Sequence, residues 1–177
     1  MTYKEDILTQ RLINRILEQY SLPIFGIHGI SHWARVLETG LRLAEKTNAN
    51  ITVVKLFAVF HDSMRQNEKR DNGHGARGAD FAAVLRNDYF SISDNEFELL
   101  HRACSLHTDG LTEGNITVQT CWDSDRLDLN RVLIEPAPKF LCTETAKEKN
   151  TLDWANQRSK SRYMPELIKS KWKISEE

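Results

Sequence analysis

The sequence has no CxxC pair, no apolar run long enough to cross a bilayer, no clear two-residue alternation and no excess of either charge. Each lack removes a class of protein. Three cysteines, Cys104, Cys121 and Cys142, leave one over if two are joined, which fits reduced thiols filling core positions in a cytosolic compartment. The longest nearly apolar run, VVKLFAVF at 53–60, is far too short for a membrane span. The opening MTYKED lacks the basic-then-apolar pattern of a secretory signal, so a soluble, cytoplasmic protein is expected. Against 24 Lys and Arg stand 25 Asp and Glu, a net charge of −1, which removes the electrostatic argument for a nucleic-acid partner. Any recognition of phosphate must be local. There is no internal repeat and no low-complexity tract, and 177 residues need only one domain.

What the sequence does have is helical periodicity. Leu8, Leu12, Ile13, Ile16 and Leu17 share one face, and Trp33, Val36, Leu37, Gly40, Leu41 and Ala44 share another. Further helices are expected over about 52–63, 74–87, 94–108, 117–130 and 152–162. Ser93 and Glu96 have capping-box spacing at the start of the 94–108 segment, and Gly110 suits its end. The IEPAPKF stretch, with two prolines close together, must be irregular. The fold class is therefore all-α, a single-domain helical bundle over 1–146 with a C-terminal helical extension and a solvated basic tail over 147–177.

Polar, metal-competent residues fall on these apolar stripes. In the 52–63 segment Val54, Phe57, Ala58 and His61 follow i, i+3, i+4, i+7, and Asp62 comes four residues after Ala58. A buried carboxylate is costly unless compensated, and a cation that takes it and a neutral imidazole as ligands removes the cost. His107 extends the stripe of Leu100, Ala103 and Cys104, with His101 beside it; His74 opens the stripe of Gly78, Phe81, Ala82 and Leu85. Val118, Cys121, Trp122, Asp125 and Leu129 share a face from which Asp123 points away, and His32 precedes Val36 and Gly40. A single histidine on such a face is more often a hydrogen-bonded core residue, and Asp62 and Asp125 could instead pair with Arg65 or Arg126 at helix ends. Five helices that each bring a His or Asp to the stripe near one end favour a metal centre.

His32 in HWARV, the His61-Asp62 doublet some thirty residues later and Asp125 in DSDRLD together resemble the H...HD...D signature of HD-superfamily metal-dependent phosphohydrolases, over roughly 28–131. The resemblance implies an HD-type helical bundle in which His32, His61, Asp62 and Asp125 bind a divalent cation, with His61 and Asp62 at the catalytic core. HGARGA from His74 and SLHTDG around His107 are similar to the extra histidine segments of members with two metals, including a branch that acts on dinucleoside polyphosphates. That similarity implies a second ion on His74 and His107, bridged by Asp62. The HHE and GYP motifs of cyclic-dinucleotide esterases are absent, which disfavours that substrate. His28 forms an HGISH element with His32, precedes the helix and is read either as a residue that supports the ligands from behind or as a structural one.

In such a centre one or two cations per chain would polarise a phosphoryl oxygen and acidify a water. Histidine and carboxylate ligands without thiolate suit Mn, Fe, Co, Zn or Mg. Arg77, Arg126 and Arg131 are the candidates to hold the substrate phosphate, each against the alternative of an ordinary solvated arginine; Lys55 is a weaker one. The expected activity is hydrolysis of a phosphoester or phosphoanhydride in a small molecule, with a nucleotide foremost. The alternative is a non-catalytic ligand-sensing or interaction module built on the same centre. Neither a nucleic acid nor a membrane is an expected partner, and the chain would be a monomer or a homodimer.

Overall fold

Capping side chains set where several helices begin. In the computed structural model, which describes residues 6–175, Thr9 accepts from the Leu12 amide at the start of α1 (Gln10–Gln19). Asn50 does the same for Val53 at α3 (Ile51–Phe60) and Asn115 for Thr117 at α6 (Ile116–Arg126). Ser93 and Glu96 form the expected capping box at α5 (Asp94–Leu106). Each such cap satisfies an amide that would otherwise lack a partner, a gain of about 1 kcal/mol. By contrast α2 (Ile30–Thr47) and α4 (His74–Leu85) start from Gly29 and Gly73, which offer no capping side chain. No strand occurs among the described residues, where a lone bridge joins Arg86 and Phe90.

The bundle is organised around α3, whose residues from Val53 to Phe60 are buried apart from Lys55. It packs on α2, α5 and α6, with α4 seated against α5. Phe57, Phe60, Trp33 and Trp122 are fully enclosed there, and burying each stabilises the fold by about 1.5–3 kcal/mol. Two glycines allow α4 to come close. A Cβ at Gly78 would sit 2.3 Å from the Phe60 carbonyl oxygen, and one at Gly75 would sit 2.2 Å from that of Cys104. Their absence brings the first turn of α4, with His74, against the last turn of α5.

The helices match the periodicity, with instructive departures at their ends. α3 stops at Phe60, so His61 is its cap and Asp62 lies in the following turn. The expected 117–130 helix is broken: α6 ends at Arg126 and a 3-10 turn covers Leu129–Val132. That break returns the chain towards α2, and Asp128 faces inward as a result. Beyond it a 3-10 turn covers Pro138–Phe140, followed by a one-turn α7 (Glu144–Lys147), α8 (Lys149–Lys160) and a one-turn α9 (Leu167–Ser170). Asp123 does point away from the α6 face that carries Asp125, yet it is buried: its carboxylate accepts from the Cys142 and Thr143 amides and the Thr143 hydroxyl. It thereby holds the start of α7. The tail corrects the expectation of a solvated end, because Ile168 and Trp172 are buried in the main core, while Lys169, Lys171 and Lys173 are exposed.

Candidate metal centre

Five side chains from five elements converge on Asp62. His32 comes from the first turn of α2, His61 from the end of α3, His74 from the start of α4, His107 from the end of α5 and Asp125 from the last turn of α6. His32, His61, Asp62, His74 and His107 are buried. Asp125 is the most open of them, with 14% of its side chain exposed.

Hydrogen bonds on the far side of each ring fix the orientation. The His61 Nδ1 lies 3.1 Å from the Phe57 carbonyl, that of His74 2.6 Å from the Asp71 carbonyl and that of His107 2.7 Å from the Cys104 carbonyl. A carbonyl oxygen only accepts, so each Nδ1 carries the hydrogen and donates it. The His32 Nδ1 stands 2.7 Å from Asp128 Oδ2, a carboxylate held in turn by Arg35, and it donates likewise. In their neutral forms all four rings therefore present Nε2 lone pairs to the interior, that of His74 also accepting from Arg65 Nη1 at 3.2 Å.

Those lone pairs meet in two couples. The Nε2 atoms of His32 and His61 are 3.0 Å apart, as are those of His74 and His107. Two lone pairs at that distance repel unless a positive charge lies beside them. Asp62 stands between the couples: its Oδ1 is 2.9 and 3.6 Å from the Nε2 atoms of His74 and His107, and its Oδ2 is 3.6 and 3.9 Å from those of His32 and His61. Asp125 Oδ1 adds a second carboxylate to one half, 3.4 Å from His32 Nε2 and 3.8 Å from His61 Nε2. Two ligand groups follow, His32, His61 and Asp62 on one side and Asp62, His74 and His107 on the other, each close enough to hold a metal ion. The donor set, neutral imidazole nitrogens and carboxylate oxygens with no thiolate, fits a divalent cation of the first transition row or magnesium.

The electrostatics agree. Burial lowers the His61 pKa to about 3, keeping that ring neutral and able to act as a ligand. Burial would push the Asp62 and Asp125 carboxyls up, but the surrounding imidazoles hold both below the usual carboxylate range. The His107 pKa is raised, since the neighbouring carboxylates outweigh its burial. A field that favours a proton on His107 favours a metal cation at the same place.

The other residues singled out by the sequence take varied places. Arg77 is bound to both oxygens of Asp71 and to the Met64 carbonyl, which ties down the 63–73 loop. Arg126 donates to the carbonyls of Leu111 and Phe140, and is not a partner of Asp125. Arg131 donates to the carbonyls of Ile27 and Asp128, with a further nitrogen 3.3 Å from His28 Nδ1. His28 itself lies 3.0 Å from Asp62 Oδ2. His101 is half-buried, 3.5 Å from exposed Asp80, away from the centre, and Lys55 pairs with Asp6.

Three contributors carry no signal in the hydrophobic pattern. Asp128 and Arg35 orient His32. Arg65 is buried and brings Nη1 to 3.2 Å from His74 Nε2 and 3.6 Å from Asp62 Oδ1, while its Nη2 is fixed on the Lys69 carbonyl. It forms the i, i+3 ion pair with Asp62 that the alternative reading expected, whereas Arg126 forms none with Asp125, so pairing with arginine accounts for one of the two carboxylates. Two clefts open from the centre, one of about 500 Å³ bordered by Arg65, Arg70 and His74, the other of about 360 Å³ bordered by His107 and Asp125.

Comparison with known proteins gives no match: no family model, no curated protein and no solved structure is significantly similar to this chain. No helix among the described residues is long and apolar enough to cross a membrane.

Proposed function

We propose that this chain is a metal-dependent phosphohydrolase of HD type, acting on a phosphoester or phosphoanhydride of a small molecule, with a nucleotide as the leading class. The observation that carries the reading is the arrangement of four inward-facing imidazole nitrogens in two couples against the two oxygens of one buried carboxylate, with only that of His74 also met by a cationic side chain, Arg65. The order of these residues along the chain, His32, then His61-Asp62, then His74, His107 and Asp125, supports the HD assignment.

A divalent cation in either half supplies Lewis-acid polarisation of a phosphoryl oxygen and a lowered pKa for a water it holds. The chain's own groups do the rest. His32 and His61 with Asp62 and Asp125 would hold one cation, and Asp62 with His74 and His107 the other, the Asp62 carboxylate serving both. Asp125, the member most open to a cleft, would orient the attacking water. Arg65 is the guanidinium nearest the centre and takes precedence over Arg77, Arg126 and Arg131 for stabilising charge on the phosphoryl oxygens.

The test is phosphate release from a panel of nucleotides by the metal-loaded chain, with the Asp62→Ala variant alongside. Release at least 100-fold faster in the wild type supports the proposal. No release with Mn, Fe, Co, Zn or Mg would reassign the centre to a ligand-sensing role.

A further inference from the structure

Asp125 and Arg126 are neighbours that face different tasks. Asp125 looks into the metal centre, while Arg126 donates to the carbonyl oxygens of Leu111 at 2.7 Å and Phe140 at 2.8 Å. Arg126 thus clips the loop after α5 to the loop after the Leu129–Val132 turn. Asp123 fixes the far end of that second loop through the Cys142 and Thr143 amides. The two loops are therefore a frame rather than loose chain.

The frame encloses the cleft of about 360 Å³, a size within the ~300–1,000 Å³ usual for small-molecule sites. Its floor includes His107 and Asp125, one residue from each half of the centre; its walls are Leu129, Ile134, Pro136 and Phe140. Ile134 is 54% exposed and Phe140 57% exposed, two large apolar side chains held open to solvent at the lip of a polar centre. The one arginine in the lining, Arg126, is engaged by backbone carbonyls, and the one carboxylate besides Asp125 is that of Glu135. A further phosphate would meet the carboxylates of Asp125 and Glu135 with no free cation in the lining, and a sugar or polyol would find only Glu135 and the Thr108 hydroxyl at an otherwise apolar rim. A flat or apolar group would gain the burial that Ile134 and Phe140 lack.

We infer that this cleft receives the ring-bearing, uncharged part of the substrate, so the site prefers aryl- or nucleobase-bearing phosphoesters over sugar and polyol phosphates. The position of the phosphate rests on the phosphohydrolase reading; the apolar subsite rests on the cleft. Leu129, Ile134 and Phe140 act as specificity-determining residues.

Phenylphosphonate and methylphosphonate, which cannot be hydrolysed, separate the two. Calorimetric titration of the Mn²⁺-loaded full chain is expected to show phenylphosphonate binding at least tenfold tighter. Ile134→Ser and Phe140→Ser, both at exposed positions that leave the core intact, should each reduce that preference several-fold without changing methylphosphonate affinity. Leu133→Asn is the control: Leu133 is 93% exposed, does not line the cleft, and its φ of 63° suits asparagine. Equal affinities for the two phosphonates, or a phenyl preference that survives both serine variants, would overturn the inference even with phosphate release intact. So would a solution dimer that Phe140→Ser dissociates without any phenyl preference being seen, because the apolar lip would then belong to a second copy. Conversely, a phenyl preference lost in both variants, with no phosphate released from phenyl phosphate, leaves the subsite standing and removes the hydrolase.

Discussion

At the scale of single residues, the far nitrogen of each imidazole matters as much as the near one. His32 is oriented by Asp128, and Asp128 is shared with Arg35 through contacts of 2.7 and 3.0 Å. Replacing Asp128 by Asn leaves one acceptor oxygen for three donors, His32 Nδ1 and the Nε and Nη2 of Arg35, and leaves the buried Arg35 short of its counter-charge. Asp128→Asn is expected to weaken cation binding in the His32–His61 half by roughly 10–100-fold, read by competition with a chromophoric chelator, while the His74–His107 half keeps its affinity. The same variant should lose about 1–3 kcal/mol of stability in urea titration, the cost of an under-satisfied buried donor. Cys142 offers a test independent of metal. Burial, with Asp123 nearby, pushes its thiol up to about 12, so the reactive thiolate is only about one part in 10⁴ at pH 8. Because the protonated form dominates below that value, alkylation of the native chain at Cys142 should accelerate nearly tenfold for each unit from pH 8 to 10, followed by mass spectrometry. Cys104 and Cys121, fully enclosed and likewise raised, should stay unmodified until the chain unfolds.

At the scale of elements, the decisive approach is that of α4 to α5. Gly75 is its tightest point, since an added Cβ would also lie 2.8 Å from His107 Nδ1, the atom that anchors that ring on Cys104. Gly75→Ala should cost about 1–3 kcal/mol in thermal or chemical unfolding and weaken cation binding in the His74–His107 half selectively. An unchanged stoichiometry and affinity in that half would show that the contact is slack. The helices that form this approach were legible because each carries a long apolar stripe, and the stripe picks out His61, His74, His107 and Asp125 as inward-facing. Asp128 was not legible, since it follows the break between α6 and the 3-10 turn, where a 3.6-residue period ceases to apply. Arg65 and His28 lie in irregular segments on either side of helices, which periodicity does not describe. Ile168 and Trp172 escaped for a related reason: α9 is a single turn, and one turn has no period to read.

At the scale of the whole molecule, the centre is where the ends of five helices meet. α2, α3, α4, α5 and α6 each contribute a ligand candidate, from positions between 32 and 125 of the sequence. An unfolded chain cannot gather these groups at a point, so a cation binds the folded form almost exclusively and its binding energy adds to folding stability. At a free concentration 100 times the dissociation constant that is about 2.7 kcal/mol. For a chain of 177 residues each kcal/mol moves the melting temperature by about 2–4 °C. Scanning calorimetry of chelator-treated protein against a series of MnCl₂ concentrations should therefore show a rise of roughly 5–10 °C that continues with the logarithm of the metal concentration. Asp62→Asn should flatten the series, because the one carboxylate common to both ligand groups is gone and neither half retains a full set. A melting temperature indifferent to metal in the wild type would mean that the four inward imidazole nitrogens are satisfied by protons, water and the Arg65 guanidinium, and the centre would then be a packing device rather than a binding one.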